Sequence, residues 1–476
     1  MDASLTADVY SIKSWATLQA TLCREEFVDQ AAFALAGSII RCNPNNLPLV
    51  FAIGRGEKGA WARAACFLLK KRGEKAEPFA LAGFSSERKE RPLSALRSAL
   101  SSPCLVIDAL LDINSASLFG QEEKEALQVI AKSQATTLAI HLPSGIDGDT
   151  GKAFFPLPKV VGTICLGAYL QGLFFEEGYE YSGALHFAPL EFPPHTVQPS
   201  YKLLKEEGME RLLPQVRKSR HKYEAGALLG LAGSPSMMGA AHLASKAALR
   251  TGAGLVRILH LAPAPLSAGF ADEVIASPYQ ENGIVGIFQR MKALFCGPGM
   301  GRSSLAREAL FSLLKTWSGP IVLDADALFF LREEIALLPK EAILTPHRGE
   351  AEALLEGIST KGSLHARAQS LASEHLIYFV LKGAPTRIFS PGKIPLLLAR
   401  GSAGAATAGS GDVLTGIIAS LLAQGASSLE AACLGLFLHA LASEISAERK
   451  TVYGMIASDI LEAIPSAYQR VLGDSS

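Results

Sequence analysis

Ala408-Gly409-Ser410-Gly411-Asp412, continued by Val413-Leu414-Thr415-Gly416 and an apolar helical run to Leu422, is the stretch on which the reading of this chain turns. Its three small residues let the backbone turn tightly, so that the N–H groups point outward at the start of a helix. Orphan amide donors and the positive end of a helix dipole together make an anion site. Asp412 stands at the start of the same helix, beside the place a phosphate would take. A carboxylate there can accept a proton from a hydroxyl as it attacks phosphorus, while the amides stabilise charge on the transferring group. Taken alone, the same residues also describe an ordinary N-cap and turn. The surrounding chain has to decide.

Working outward, residues 227–232 read as a strand ending in Gly233-Ser234, and residues 240–253 as a helix of small residues. Residues 294–296 run into Gly297-Pro-Gly-Met-Gly301, and residues 320–323 end in Asp324-Ala-Asp326. Residues 342–344 lead to Thr345-Pro-His347, and residues 378–381 to Lys382-Gly383. Each of these strands ends in glycine or a polar group, as a single crevice lined by strand ends would require. An earlier block repeats the logic. Residues 47–53 form a strand followed by a glycine-rich turn and a helix to about Arg72, with further strands at 104–108 and 137–141. Strands separated by helix-length segments imply a parallel sheet with helices on both faces. Asp108 and the stretch Ser144 to Asp147 fall at the ends of such strands. Between the blocks, three prolines in Glu191-Phe-Pro-Pro-His-Thr-Val-Gln-Pro-Ser200 suppress both helix and ladder pairing and mark a linker.

At 476 residues the chain is too long for one ordinary domain. Its 45 basic and 45 acidic side chains cancel, which excludes a strongly basic nucleic-acid binder and an acidic tail protein. Lys70-Lys71-Arg72 reads as a solvated helix end. The first ten residues carry two acids and no basic-then-apolar run, so no secretory signal is expected there. The most apolar stretch, 416–442, is interrupted by Gln424, Gly425 and Glu430 into pieces expected to be too short to span a bilayer, hence buried helices. Seven scattered cysteines without a CxxC argue against a disulfide framework or a structural zinc site. These features lead us to expect a cytoplasmic enzyme without nucleic-acid or membrane partners.

Many short motifs recur in one order from residue 205 to 472: His221-Lys222, Gly233 to Ala241, Gly252-Ala-Gly-Leu-Val256, Gly297 to Gly301, Asp324-Ala-Asp-Ala-Leu328, Leu344-Thr-Pro-His347, Gly349-Glu350, Leu381 to Thr386, Gly409 to Asp412 and Gly454 to Asp459. In that order they resemble the ribokinase superfamily and, within it, the NAD(P)H-hydrate dehydratases. The resemblance implies a ribokinase-like α/β/α domain that repairs hydrated NADH or NADPH, with ADP as phosphoryl donor and magnesium as cofactor. It implies that Asp412 is the catalytic base. It further implies that Lys382, Gly383, Ala384, Pro385, Thr386, Gly409, Ser410 and Gly411 bind the nucleotide, and that Ala240, Gly299, His347 and Asp412 bind the hydrate. Glu350 would order water or magnesium near the phosphates. With a reference pKa near roughly 3.9, Asp412 is expected to be a weak base. Gly401-Ser-Ala-Gly404 and Arg348 depart from the family pattern without removing that base. An ATP-dependent small-molecule kinase of the same superfamily, with a non-catalytic N-terminal binding or assembly domain, is the alternative reading.

Gly54-Arg55-Gly56-Glu57-Lys58-Gly59 follows a strand and opens a helix, matching the GxGxxG dinucleotide fingerprint, although no acidic residue ends the next strand near Ala82. Its surroundings, with residues 106–109, Leu142-Pro-Ser-Gly-Ile-Asp147 and Asp149-Thr-Gly151, resemble the NAD(P)H-hydrate epimerase domain. The resemblance implies an open Rossmann-like three-layer domain over residues 1–197. Its candidate site is Asp108, Ser144 and Asp147, with Asp108 and Ser144 as potassium ligands. Other epimerase motifs are altered. The family's Asn-Asn-Gly-Gly-Asp-Gly turn is Glu57-Lys58-Gly59-Ala60-Trp61-Ala62 here, the loop after Asp108 is Leu110 to Asn114, and a Pro-Lys pair is Tyr169-Leu170. A carboxylate and an ammonium replace potassium-coordinating amides, and an indole replaces a short acid. Lys58 could mimic the charge of a missing potassium ion, and Trp61 could take volume a cofactor needs. The residues leave epimerase activity open. The full chain is expected to be a homo-oligomer.

Overall fold

A computed structural model describes the chain except residues 1–2, 82–92, 114–119, 155, 195, 263–268, 282–283, 333, 357–361 and 474–476. Ala82 and Asn114, both used in reading the sequence, lie outside the described residues. The chain forms two compact units, one of Ala7–Lys202 and one of Met1–Thr6 with Leu203–Ser476. The expected boundary of 1–197 is therefore corrected at its start, since the first residues belong to the C-terminal unit. Leu5 is the reason: it is buried, its carbonyl accepts from Lys205 N at 3.0 Å, and Arg211 Nη1 donates to the neighbouring Ser4 Oγ at 3.0 Å.

The N-terminal unit is built on six parallel strands, in the order Ala76–Ala80, Leu49–Ile53, Leu105–Ala109, Thr136–Ile140, Gly162–Leu166 and Ala184–Ala188. Leu49–Ile53 has its successor on one side and Leu105–Ala109 on the other. The direction of winding reverses there, which opens a crevice beyond the carboxyl ends of those two strands. Arg24–Arg41 and Glu57–Lys71 pack against each other. The expected strands match the observed ones to within a residue or two.

In the C-terminal unit seven strands run parallel, in the order Val274–Pro278, Leu255–His260, Ala227–Leu231, Ala293–Cys296, Ile321–Leu323, Ile343–Leu344 and Tyr378–Leu381. Thr386–Phe389 and Leu396–Leu398 continue the sheet antiparallel. Alternate residues of a strand face opposite layers. Leu228, Phe295 and Val322 join a core with Met238–Arg250, Ser410–Ala423, Ser428–Lys450 and Ala457–Leu472, whereas Leu229, Leu294 and Leu323 join one with Ser304–Thr316 and Leu364–His375. Burial on both faces explains why these strands read as continuous apolar runs.

The apolar stretch 416–442 resolves into two helices, but one expectation about it fails. Ser428–Lys450 is 23 residues long, and by length and composition it is apolar enough to cross a membrane, although 78% of its most apolar window is buried in the unit. Glu430 does not interrupt this helix. It starts it, in a capping box with Ser427, and the helix then runs on to Lys450.

Candidate functional site

The carboxyl ends of the C-terminal strands meet the start of Ser410–Ala423. Gly409 takes φ +88° and leaves the first turn of that helix without a side-chain cap, with Ser410 N donating to Thr407 O at 3.3 Å. Lys382, directly after Tyr378–Leu381, reaches the same place. Its Nζ lies 2.8 Å from Asp324 Oδ1, and a Cβ added to Gly411 would come within 3.1 Å of that ammonium. Asp324 is buried, and its second oxygen accepts from Thr415 Oγ1 at 2.8 Å. A buried carboxylate, a helix hydroxyl and an ammonium thus hold one positive charge above the second glycine of the anion turn.

Asp412 sits one residue further on. Burial and, after it, the Asp324 carboxylate push its carboxyl up to about 7, with Lys382 opposing and Asp326 and Glu350 adding to the rise. The expectation of a weak base near the ordinary carboxylate value is corrected accordingly. Three acids around a half-buried group make its ionised form costly, so the group holds a proton well. Ser410 Oγ and Ser410 O both lie 3.1 Å from His439 Nε2, and burial brings that imidazole down to about 4, so it is neutral.

The remaining expected residues divide. Gly299, at φ +59°, abuts Ala240: a Cβ there would stand 3.0 Å from the alanine's own. His347 pairs with Lys382 in a parallel bridge, and Lys382 N donates to Pro346 O at 2.9 Å. His347 caps Arg348–Glu356. Its Nδ1 accepts from Glu350 N at 3.2 Å while its own N donates to Glu350 Oε2 at 2.9 Å. Nε2 lies 3.4 Å from Glu350 Oε1, on a side chain that is 60% exposed. Thr386 Oγ1 donates to Gly383 O at 2.9 Å and closes its own turn, around the cis Ala384–Pro385 peptide. Of the family departures, Ser402 caps the short turn Ala403–Ala405, and Arg348 pairs with Glu352 at 2.9 Å.

In the N-terminal unit, Asp108 and Ser144 come together at the ends of adjacent strands. Ser144 N donates to Asp108 Oδ2 at 2.8 Å and Ser144 Oγ to Asp108 Oδ1 at 2.5 Å. The fully buried Lys58 points its Nζ at Leu142 O, 2.6 Å away, and at Ser144 Oγ, 3.2 Å away. Asp147 is not part of this group of bonds. Its Oδ1 accepts from Asp149 N, Thr150 N and Thr150 Oγ1, which folds its own turn. Trp61 is buried against Phe27, with ring centroids 5.3 Å apart, and forms one wall of a cavity of about 330 Å³ also lined by Arg24, Glu57 and Asp112.

Comparison with known proteins agrees with this division. The family described as NAD(P)H-hydrate dehydratase matches residues 228–466, and the YjeF-related protein N-terminus matches residues 24–172. A bifunctional NAD(P)H-hydrate repair enzyme of Moorella thermoacetica is 32% identical over 76% of this chain and 72% of its own. The chain belongs to the bifunctional NAD(P)H-hydrate repair enzyme family. The relative of that name from Escherichia coli is 30% identical over 76% of this chain and 70% of its own. Among solved structures, the ADP/ATP-dependent NAD(P)H-hydrate dehydratase of Bacillus subtilis, co-crystallised with ATP and magnesium, is 27% identical with a TM-score of 0.50. It covers 56% of this chain and 97% of its own. A ribokinase-like superfamily protein of Enterococcus faecalis shares the fold, at a TM-score of 0.51 and 24% identity over 59% of this chain and 99% of its own.

For a member of this family, two features stand out as missed or misjudged in the sequence. Asp324 and Asp326 were visible as acids ending a strand and as part of a family-like stretch with no role given to either, yet Asp324 holds Lys382, and Asp326 accepts from Gly301 N and Arg302 Nε, each at 2.9 Å. His439 left no signal at all, because only helix packing brings it to Ser410. Of the expected potassium ligands Asp108 and Ser144, the serine has its hydroxyl fully engaged. Ser144 Oγ donates once and accepts from Leu111 N and Lys58 Nζ, so neither of its lone pairs is left for an ion.

Proposed function

We propose that the C-terminal unit dehydrates the S hydrate of NADH or NADPH with ADP as phosphoryl donor, releasing AMP and phosphate. Hydroxide leaves a carbon poorly and phosphate leaves it well, so the ring hydroxyl is first made a phosphate ester. Asp412 takes the hydroxyl proton as the oxygen attacks phosphorus. The helix start at Gly409 to Gly411 and the Lys382 ammonium take up charge on the transferring group. The ring nitrogen lone pair then expels phosphate, and loss of a proton from the neighbouring carbon restores the double bond. Ala240, Gly299 and the exposed side chain of His347 would contact the hydrate, while Lys382 to Thr386 would contact the nucleotide.

The observation that carries this reading is a carboxyl raised to about 7, one residue from the glycine above which Lys382 stands. Magnesium fits the site as an ion brought in with phosphate oxygens and water. Asp324, Asp326 and Glu350 leave an excess of negative charge around Asp412, and no three-ligand cage exists among the described residues. Glu350 would help hold it, and the ion would supply charge neutralisation. Seven unbridged cysteines support a reducing, cytoplasmic setting, and a homo-oligomer belongs to the same proposal.

The test is incubation with chemically prepared hydrate and either ADP or ATP, following recovery of dihydronicotinamide absorbance. Recovery faster with ADP than with ATP is expected. A stable phosphorylated product without recovery would instead make the chain a small-molecule kinase.

A further inference from the structure

The N-terminal crevice holds a lysine that local rules disfavour. Lys58 is the second residue of Glu57–Lys71, where the helix dipole repels a cation, and it is only 1% exposed. What surrounds its ammonium is a set of oxygens. Leu142 O lies at 2.6 Å and Ser144 Oγ at 3.2 Å, and the serine's proton is committed to Asp108, so it presents a lone pair to the lysine. Burial pushes the Lys58 ammonium below its ordinary value, and the Asp108 and Asp112 carboxylates oppose that by favouring the protonated form. A carbonyl, a hydroxyl and carboxylates around one buried positive charge is the ligand chemistry of a bare monovalent cation.

The complementary charge is also built in. At the helix start, where a fingerprint of this kind offers amides to a phosphate, Glu57 N donates to Asp112 Oδ2 at 3.0 Å. Gly56, at φ +99°, brings its backbone against the same carboxylate.

We propose that Lys58 is a resident cation: its ammonium permanently fills the place between Leu142 O, Ser144 Oγ and Asp108 that an exchangeable monovalent ion would take, so the N-terminal unit neither binds nor needs potassium. Asp112 completes the arrangement as a resident anion at the helix start. This unit thereby differs from what the family resemblance implies for potassium. The inference does not rest on the dehydratase chemistry of the other unit.

The experiment uses full-length protein carrying Trp317→Phe, so that only Trp15 and Trp61, both buried in this unit, report its unfolding. Thermal midpoints are compared in potassium, sodium and N-methylglucamine chloride at equal ionic strength. With Lys58 intact the three midpoints should coincide, and a saturable rise in potassium would overturn the proposal. Lys58→Ser opens the oxygen set. It should melt several degrees lower in N-methylglucamine and recover in potassium, and absence of recovery would also overturn the idea. Lys58→Met keeps the chain length without the charge, so an unchanged midpoint would show that no cation is required there. If the variants do not fold, the titration with Lys58 intact still decides. Turnover of the S hydrate, followed in the same samples, separates failure of this inference from failure of the dehydratase reading.

Discussion

Asp412 owes its basicity first to burial and then to the acids around it. A base with a pKa of about 7 works only when deprotonated, so kcat/KM for the hydrate should fall as pH drops below about 7 and level off above it. A profile flat from acid to alkaline pH would remove Asp412 from the role. Asp412→Asn should lower conversion by about 10² or more and leave nucleotide binding intact. The same substitution should stabilise the fold. A carboxyl raised in the folded state binds its proton more tightly there than in the unfolded chain, so ionisation destabilises the native state as pH rises from the unfolded value to about 7. The gain in Tm should be full above pH 7 and shrink toward pH 4. Lys382 behaves differently, because its partner is buried. Lys382→Ala should weaken ADP binding and also lower Tm by leaving Asp324 unpaired, at a cost of order 3 kcal/mol. Adding Asp324→Asn should restore much of the Tm and none of the ADP affinity. Recovery of affinity in that double variant would mean that the lysine does not contact phosphate.

At the scale of elements, the anion turn and its helix can be probed without touching a charge. Gly411 lies in the first turn of Ser410–Ala423 with ordinary helical backbone, so alanine costs the helix nothing and contributes up to about 1 kcal/mol. Its methyl would stand 3.1 Å from Lys382 Nζ, in the space proposed for the transferring phosphate. Gly411→Ala should therefore raise KM for ADP by tenfold or more at unchanged or higher Tm, and a nucleotide KM left as it was would displace the phosphate site. Gly416, about one and a half turns on, has a different duty. A Cβ there would collide with Ala244 O on Met238–Arg250, because these two helices pack backbone to backbone. Gly416→Ala should destabilise by about 1–3 kcal/mol, with little effect on KM in the folded fraction.

For the molecule as a whole, the division into Ala7–Lys202 and the remainder sets what a truncation can do. A fragment starting at Tyr201 keeps every residue of the proposed dehydratase site and its own sheet. It loses the burial of Leu5 and the bonds to Lys205 and Arg211, worth about 2 kcal/mol. It should turn over the S hydrate at the full-length rate and melt several degrees lower, and an inactive, folded fragment would mean the site needs the other unit. Full-length protein should convert the R hydrate no faster than this fragment does. Chromatography of R-to-S interconversion without nucleotide checks it, and catalysed interconversion would show that the altered Glu57 to Ala62 turn still works.

Read alone, the sequence already determined the alternation of strands and helices, the division near the proline-rich linker and the anion turn with its aspartate. These are local properties: burial on both faces writes continuous apolar strands, and tight turns demand glycine whatever lies around them. Asp324 as the partner of Lys382, His439 behind Ser410, the raised Asp412 and the ammonium of Lys58 beside Ser144 were decided by the tertiary structure. Each depends on groups tens of residues apart being brought within a few ångströms and taken out of water, and neither the distance nor the loss of solvent is written in any one segment. Leu5 makes the same point at the largest scale. Its side chain reads as an ordinary apolar residue near the N-terminus, and only the folded chain shows that it packs into the C-terminal unit.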